Sequence, residues 1–209
     1  MTALQGSLLD LADEEELGDL RRGLEHIELG RGAWLDLRRG WVAGQASLFE
    51  LLAGAIPWQL ERRRMYDRVV DVPRLHAFYD DGAPLPDPRL DEMRAALDAH
   101  YAPVLRERFV SLGLCWYRDG RDSVAWHGDT IGRGSHEDTL VAIVSVGAPR
   151  RLLIRPLGGG EPARRFELGL GDLLVMGGSC QRTFEHAVPK SSRPVGPRIS
   201  VQFRPRGVR

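Results

Sequence analysis

The sequence predicts a mainly β domain in which helices come first and a sandwich or jelly roll follows. Two observations predict this. Eight short β-rich runs follow Phe109 at near-regular spacing, with turn residues between them. Ahead of them, helical periodicity is confined to two stretches. The chain has 209 residues, 43% apolar and 28% charged, enough to bury a core as one domain over 1–209. No internal repeat and no long linker divides it.

Residues 1–30 read as a loosely ordered acidic lead, with eight acids against Arg21 and Arg22. Residues 31–66 have helical spacing around Leu48, Leu51 and Leu52, ended by Gly54 and Pro57. Val69–Tyr79 looks extended, and Pro73 inside it predicts an edge strand or the entry to a strand. A helix is expected to start with Asp87 as N-cap and Pro88 in its first turn. Leu90, Met93, Leu97 and Tyr101 share its buried face, and Pro103 is expected to bend or divide it. The eight expected strands are 111–117, 122–127, 139–146, 150–156, 164–170, 172–177, 183–188 and 198–204.

Charge and composition exclude several functions. Lys plus Arg and Asp plus Glu are both 29, so a uniformly basic nucleic-acid coat is ruled out. Residues 150–209 nevertheless hold twelve bases against four acids, which allows a basic face on a neutral chain. The basic residues are 28 Arg and a single Lys, Lys190. With no GxxxxGK[ST] loop and no suitable lysine, kinase-like and Schiff-base chemistry drop out. Cys115 and Cys180 are too few for a disulfide framework or a structural zinc site, and read as small buried hydrophobes in a reducing cytoplasm. There is no apolar run of 18 residues and no basic N-terminal leader, so a cytoplasmic protein with no membrane segment and no evident obligate protein partner is expected.

Three residues carry candidate chemistry. His127 and Asp129 lie two apart at the end of a strand pattern, so their side chains share one face. His186 follows 57 residues after Asp129 in another strand-like run. Two imidazoles and one carboxylate make the facial triad of non-haem Fe(II) oxygenases, with positions left open for substrate and O₂. His26, His76, His100 and His136 read as ordinary core or surface histidines. In the last run, Ile199, Val201 and Phe203 share one face, and Arg198, Ser200, Gln202 and Arg204 the other. Either that polar face is solvated, or it lines a cavity and aims two guanidinium forks at a small dicarboxylate.

With Tyr117–Gly120, His127–Asp129, Gly171–Gly178, His186 and Arg198-x5-Arg204 in this order, the chain resembles the AlkB-type Fe(II)/2-oxoglutarate dioxygenases over roughly residues 64–206. The resemblance implies a double-stranded β-helix, or jelly roll, behind N-terminal helices. It implies Fe(II), 2-oxoglutarate and O₂ as cofactor and co-substrates, with His127, Asp129 and His186 holding the iron. Arg198 would pair with the distal carboxylate of 2-oxoglutarate, and Tyr117 would hydrogen-bond it. Arg204 would sit near the iron-proximal end of 2-oxoglutarate or near the substrate. The implied reaction is oxidative dealkylation of N-alkylated bases, releasing formaldehyde from a methyl group, as in repair of DNA alkylation damage. Two positions depart from the family pattern. Cys115 replaces the usual Asn, and Ile131 stands where some members carry an acid that helps read the base.

A base must leave its stack to reach such a site. Arg62, Arg63, Arg64 and Arg68 surround Tyr66, which predicts a nucleic-acid-binding lid with Tyr66 as wedge or stacker and Arg64 on phosphate. A plain helix end is the alternative. Arg164 and Arg165 are candidate phosphate contacts or simply exposed charge, and Trp126 is expected to pack in the core. The partner expected is nucleic acid with alkylated bases, DNA favoured over RNA. An oxygenase of a protein side chain or metabolite, and a metal-free binding module of the same fold, are the alternatives.

Overall fold

The computed structural model describes residues 17–65 and 68–208, apart from the side chains of residues 61–71. The chain begins with a hairpin, β1 (Leu24–Gly30) and β2 (Ala33–Arg38), then α1 (Gln45–Ala55), β3 (Gln59–Met65), β4 (Arg68–Tyr79) and α2 (Pro88–Leu105). Eight strands follow: β5 (Phe109–Tyr117), β6 (Val124–His127), β7 (Val141–Gly147), β8 (Arg150–Pro156), β9 (Arg164–Leu168), β10 (Asp172–Gly178), β11 (Phe184–Val188) and β12 (Arg198–Pro205). A one-turn helix, α3 (Cys180–Thr183), precedes β11. Each of the eight strands expected after Phe109 is present, with no end moved by more than two residues.

These strands form two antiparallel sheets. The major sheet has eight strands in the order β1-β2-β10-β7-β12-β5-β4-β3, and the minor sheet four, β6-β11-β8-β9. Non-sequential neighbours in both are what a jelly roll requires. Alternation along the major sheet builds two cores. Leu114, Val144, Val175, Val201 and Phe203 face outward against Leu48 and Leu52 of α1 and Leu90, Met93 and Leu97 of α2. Leu35, Val141, Ile143, Leu174 and Met176 face inward, against Leu152, Ile154, Phe184 and Val188 of the minor sheet. The layers are therefore helices, major sheet and minor sheet.

The structure corrects four expectations. Within the supposed lead, Leu24–Gly30 is a strand, paired with β2 from Leu24–Arg38 to Gly30–Ala33. Helix is confined to residues 45–55 of the 31–66 stretch, and Ala33–Arg38 and Gln59–Met65 are strands. β4 is flanked by β3 and β5, so it is not an edge. Pro73 is tolerated there because the β3 register shifts between Leu60 and Arg62, and pairing with β5 starts only at Leu75. Finally, α2 runs undivided to Leu105, with Pro103 in its last turn.

Asp87 caps α2 as expected. Its Oδ1 accepts from the Arg89 backbone N–H at 2.9 Å and from Arg89 Nε at 2.8 Å. The Arg89 guanidinium holds this carboxyl below its usual range. Asp87→Ala is expected to cost about 1 kcal/mol at neutral pH. The carboxylate contribution is fully present above the unfolded pKa of about 3.9 and fades as pH falls through the lower folded value. Thermal melts at pH 7 and pH 3 check this: the gap between wild type and variant should shrink in acid. No helix among the described residues is long and apolar enough to cross a membrane.

Candidate active site

A cavity of about 830 Å³ opens between the inner faces of the two sheets. On its minor-sheet side, β6 and β11 pair so that His127 and His186 are direct cross-strand partners, with ring centroids 4.3 Å apart. Asp129 lies two residues beyond β6. One ligand atom from each of His127, Asp129 and His186 falls within 4.8 Å of the other two. The turn that returns Asp129 to this point passes close to α3. A Cβ on Gly128 would sit 2.4 Å from the Gln181 carbonyl oxygen, and the Asp129 backbone N–H donates to Gln181 Oε1 at 2.9 Å.

The protonation states suit a divalent cation, which takes neutral imidazole and ionised carboxylate. His127 Nδ1 lies 2.9 Å from the Ala125 carbonyl. A carbonyl only accepts, so Nδ1 carries the proton and Nε2 is the metal-competent nitrogen. Burial, reinforced by His127, pushes the His186 pKa down to about 3, so it is neutral. Burial alone would raise the Asp129 pKa, but Arg204 and the two histidines outweigh it and bring it to about 2. Arg204 Nε donates to Asp129 Oδ2 at 2.8 Å, with both side chains buried.

The opposite end of the cavity is built for an anion. The polar face of β12 is turned inward, with Arg198, Ser200 and Arg204 buried. Arg198 is only 2% exposed, and its Nη2 donates to Ser145 Oγ at 2.7 Å. Its Nε has no partner, and among the described residues no carboxylate forms an ion pair with it. A buried, uncompensated guanidinium is costly unless a ligand completes it. Tyr117, the cross-strand neighbour of Arg198, lies with its ring 5.5 Å from the Arg198 Cζ and 5.6 Å from the Arg150 Cζ. Burial raises its pKa, so it is a neutral phenol and a hydrogen-bond donor. Behind it, Arg150 donates to the carbonyls of Asp119, Asp122 and Pro189 at 2.7, 2.8 and 3.1 Å.

His127, Asp129, His186, Tyr117, Arg198 and Arg204 therefore all line one cavity. The substrate-side expectations fare differently. Tyr66 lies outside the described residues. The Arg64 backbone pairs with Val69 in the β3–β4 hairpin, and its side chain is likewise outside the description. Arg164 is exposed on β9, the far edge of the minor sheet, and is not among the cavity-lining residues. Three strand spacings separate β9 from β6, roughly 14 Å at 4.8 Å each. Trp126 is not in either core. It lines the cavity, with the Arg155 Cζ 4.0 Å from its ring centroid.

Among the residues that escaped the sequence reading, Arg74 and His76 line the cavity, while Ser145 and Arg150 stand behind the lining, at Arg198 and at the Tyr117 ring. His76 was read as an ordinary histidine, yet it pairs in register with Cys115 on the cavity wall. Its place follows from the β4–β5 register, which a lone His does not signal.

Comparison with known proteins converges on one family. The family model described as the 2OG-Fe(II) oxygenase superfamily matches residues 82–204. The chain is 30% identical over 224 residues to the DNA oxidative demethylase ALKBH2 of Arabidopsis thaliana, covering 85% of this chain and 68% of that protein. It is 31% identical over 180 residues to the alpha-ketoglutarate-dependent dioxygenase alkB homolog 3 of Bos taurus, covering 76% of this chain. That match takes in 60% of the bovine protein's own length. In fold it is similar to the solved structure titled "The structure of OsALKBH1", with a TM-score of 0.60 at 14% identity, over 87% of this chain and 100% of that one.

Proposed function

Since this chain belongs to the 2OG-Fe(II) oxygenase superfamily as an AlkB-type dioxygenase using Fe(II), 2-oxoglutarate and O₂, we propose that it oxidatively removes alkyl groups from the bases of nucleic acid, DNA in particular. The observation that carries the reading is that one cavity holds both a metal-competent His₂Asp set and a buried guanidinium lacking an anionic partner. The donor types and protonation states fit the cation, and the unsatisfied Arg198 Nε fits a carboxylate. The Arabidopsis relative's name, a DNA oxidative demethylase, supplies the substrate class.

In this reading His127, Asp129 and His186 hold the metal. Bound Fe(II), with O₂, supplies the oxidation: 2-oxoglutarate leaves as succinate and CO₂, and the hydroxylated N-methyl group departs as formaldehyde. The protein's part is placement. Arg198 and the Tyr117 hydroxyl bind the distal carboxylate, and Arg204 fixes the orientation of the Asp129 carboxylate. Ile143, Leu152 and Val188 give the cavity apolar walls that exclude water. The β3–β4 hairpin, which carries Arg62, Arg63, Arg64 and Arg68, continues into the lining residues Val72 and Arg74, so phosphate contacts there would lie beside the mouth.

The test is paired measurement of succinate and formaldehyde with a panel of N-methylated oligonucleotides, Fe(II) and 2-oxoglutarate. Stoichiometric release that disappears in His127→Ala is expected. Succinate without formaldehyde across the whole panel would move the activity to a substrate other than nucleic acid.

A further inference from the structure

The sheet holds two of the three candidate metal ligands, and the third depends on a side chain from elsewhere. His127 and His186 are cross-strand partners, so the ladder between β6 and β11 sets their separation. Asp129 lies beyond the end of β6 and has no ladder partner among the described residues. Arg204 fixes its carboxylate at Oδ2, but the backbone that carries the carboxylate needs an anchor of its own. A backbone N–H taken out of water has to find an acceptor. The Asp129 N–H finds one in the Gln181 amide oxygen, at 2.9 Å. A rotation of that peptide would carry the carboxylate away from the two imidazoles, and this bond opposes it.

Gln181 is itself firmly placed. It sits in α3 and is 1% exposed. The residue ahead of that helix is tied to the turn between β1 and β2: the Ser179 N–H donates to the Gly32 carbonyl at 3.1 Å, and Ser179 Oγ to the Arg31 carbonyl at 2.7 Å. Thr183 closes the other end, its N–H and Oγ1 both donating to the Ser179 carbonyl, at 3.0 and 2.8 Å. The N-terminal hairpin thus steadies the helical turn that steadies Asp129. The amide also brings a penalty that packing does not explain. Gln181 Nε2 is buried and has no partner among the described residues. An unpaired buried donor destabilises the fold, and a methionine would fill similar space without one. Only the amide oxygen offsets that penalty.

We infer that Gln181 is a positioning residue for the metal centre: by accepting from the Asp129 N–H, it sets where the carboxylate stands relative to His127 and His186. The inference rests on the metal set of the reading above and is independent of the substrate. Two variants separate the oxygen from the bulk of the side chain. Gln181→Met keeps the size and removes the acceptor. Gln181→Glu keeps an acceptor oxygen in either protonation state. Mn(II) affinity is read from the electron paramagnetic resonance signal of the free ion, beside a metal-free thermal melt of each protein.

In Gln181→Met the Mn(II) dissociation constant should rise about ten- to a hundredfold, the usual loss when a group that orients a metal ligand is removed. In Gln181→Glu it should stay within about threefold of wild type, because the acceptor is retained. The metal-free melting temperature of Gln181→Met should move by no more than about 4 °C, since the lost bond and the lost unpaired donor act in opposite directions. A side chain that only packs gives the reverse order, with methionine tolerated and a buried acid harmful. Wild-type Mn(II) affinity in Gln181→Met, or equal weakening in both variants, overturns the inference and leaves the metal set standing. A metal-free melt of Gln181→Met far below wild type also overturns it, by showing the side chain to be structural. No Mn(II) binding by the wild-type protein overturns the metal set and the inference together.

Discussion

Arg198→Met is expected to raise the 2-oxoglutarate concentration for half-maximal succinate release by roughly a hundred- to a few thousandfold. The basis is the buried guanidinium, whose Nε lacks a protein partner. Removing one member of a buried charge pair costs roughly 3–5 kcal/mol, at about 1.4 kcal/mol per tenfold in affinity. The same substitution has the opposite effect on stability. Without the co-substrate, the wild-type protein bears the desolvation of Arg198 with only Ser145 and an aromatic ring to offset it. Methionine of similar length removes that penalty, so the thermal midpoint of the ligand-free variant should rise. Titration of 2-oxoglutarate and a ligand-free melt together check the claim. An unchanged midpoint concentration would remove Arg198 from the co-substrate site. A large fall in melting temperature would show that Arg198 is structural.

The second large effect concerns the metal. Mn(II), which binds the same donor types, should raise the melting temperature of the wild-type protein, and a chelator should reverse the rise. A ligand that binds only the folded state at a hundred times its Kd stabilises it by about 2.7 kcal/mol. For a chain of this length that amounts to roughly 5–10 °C, at about 2–4 °C per kcal/mol. His186→Ala should abolish both the shift and 2-oxoglutarate turnover. Neither side chain next to it compensates, because His127 and Asp129 supply only two of the three ligand atoms. Retention of the Mn(II) shift in that variant would show that the metal sits elsewhere.

The strands after Phe109 were legible because they are short β-rich runs with turn residues between them, and in β7, β10 and β12 burial on both faces keeps the signal strong. The strands that escaped notice lack that contrast. β1, LEHIELG, and β3, QLERRRM, occupy the two edges of the major sheet and mix charge into both faces. Ala33–Arg38 did alternate, with Ala33, Leu35 and Leu37 on the inner face, yet Trp34 and Asp36 on the other face hid the period. Asp36 is buried because Tyr101 Oη donates to it at 2.9 Å and His26 Nδ1 lies 2.5 Å away, partners from 65 and 10 residues off.

The candidate site divides in the same way. His127 and Asp129 were legible from local spacing, and the inward polar face of β12 from its alternation. The pairing of Arg204 with Asp129, and the presence of His76 on the same wall, depend on sheet register. No local pattern encodes that register.

The hairpin of β1 with β2 has a consequence for how the chain can be shortened. Its acidic composition invites removal of everything before residue 31. That cut would strip β2 of the neighbour that takes up one row of its amide and carbonyl groups, leaving a raw margin along the seven strands that remain. Such a margin templates addition of a strand from another molecule. Protein trimmed there should self-associate, as a concentration-dependent rise in sedimentation coefficient, even with every residue of the catalytic cavity in place.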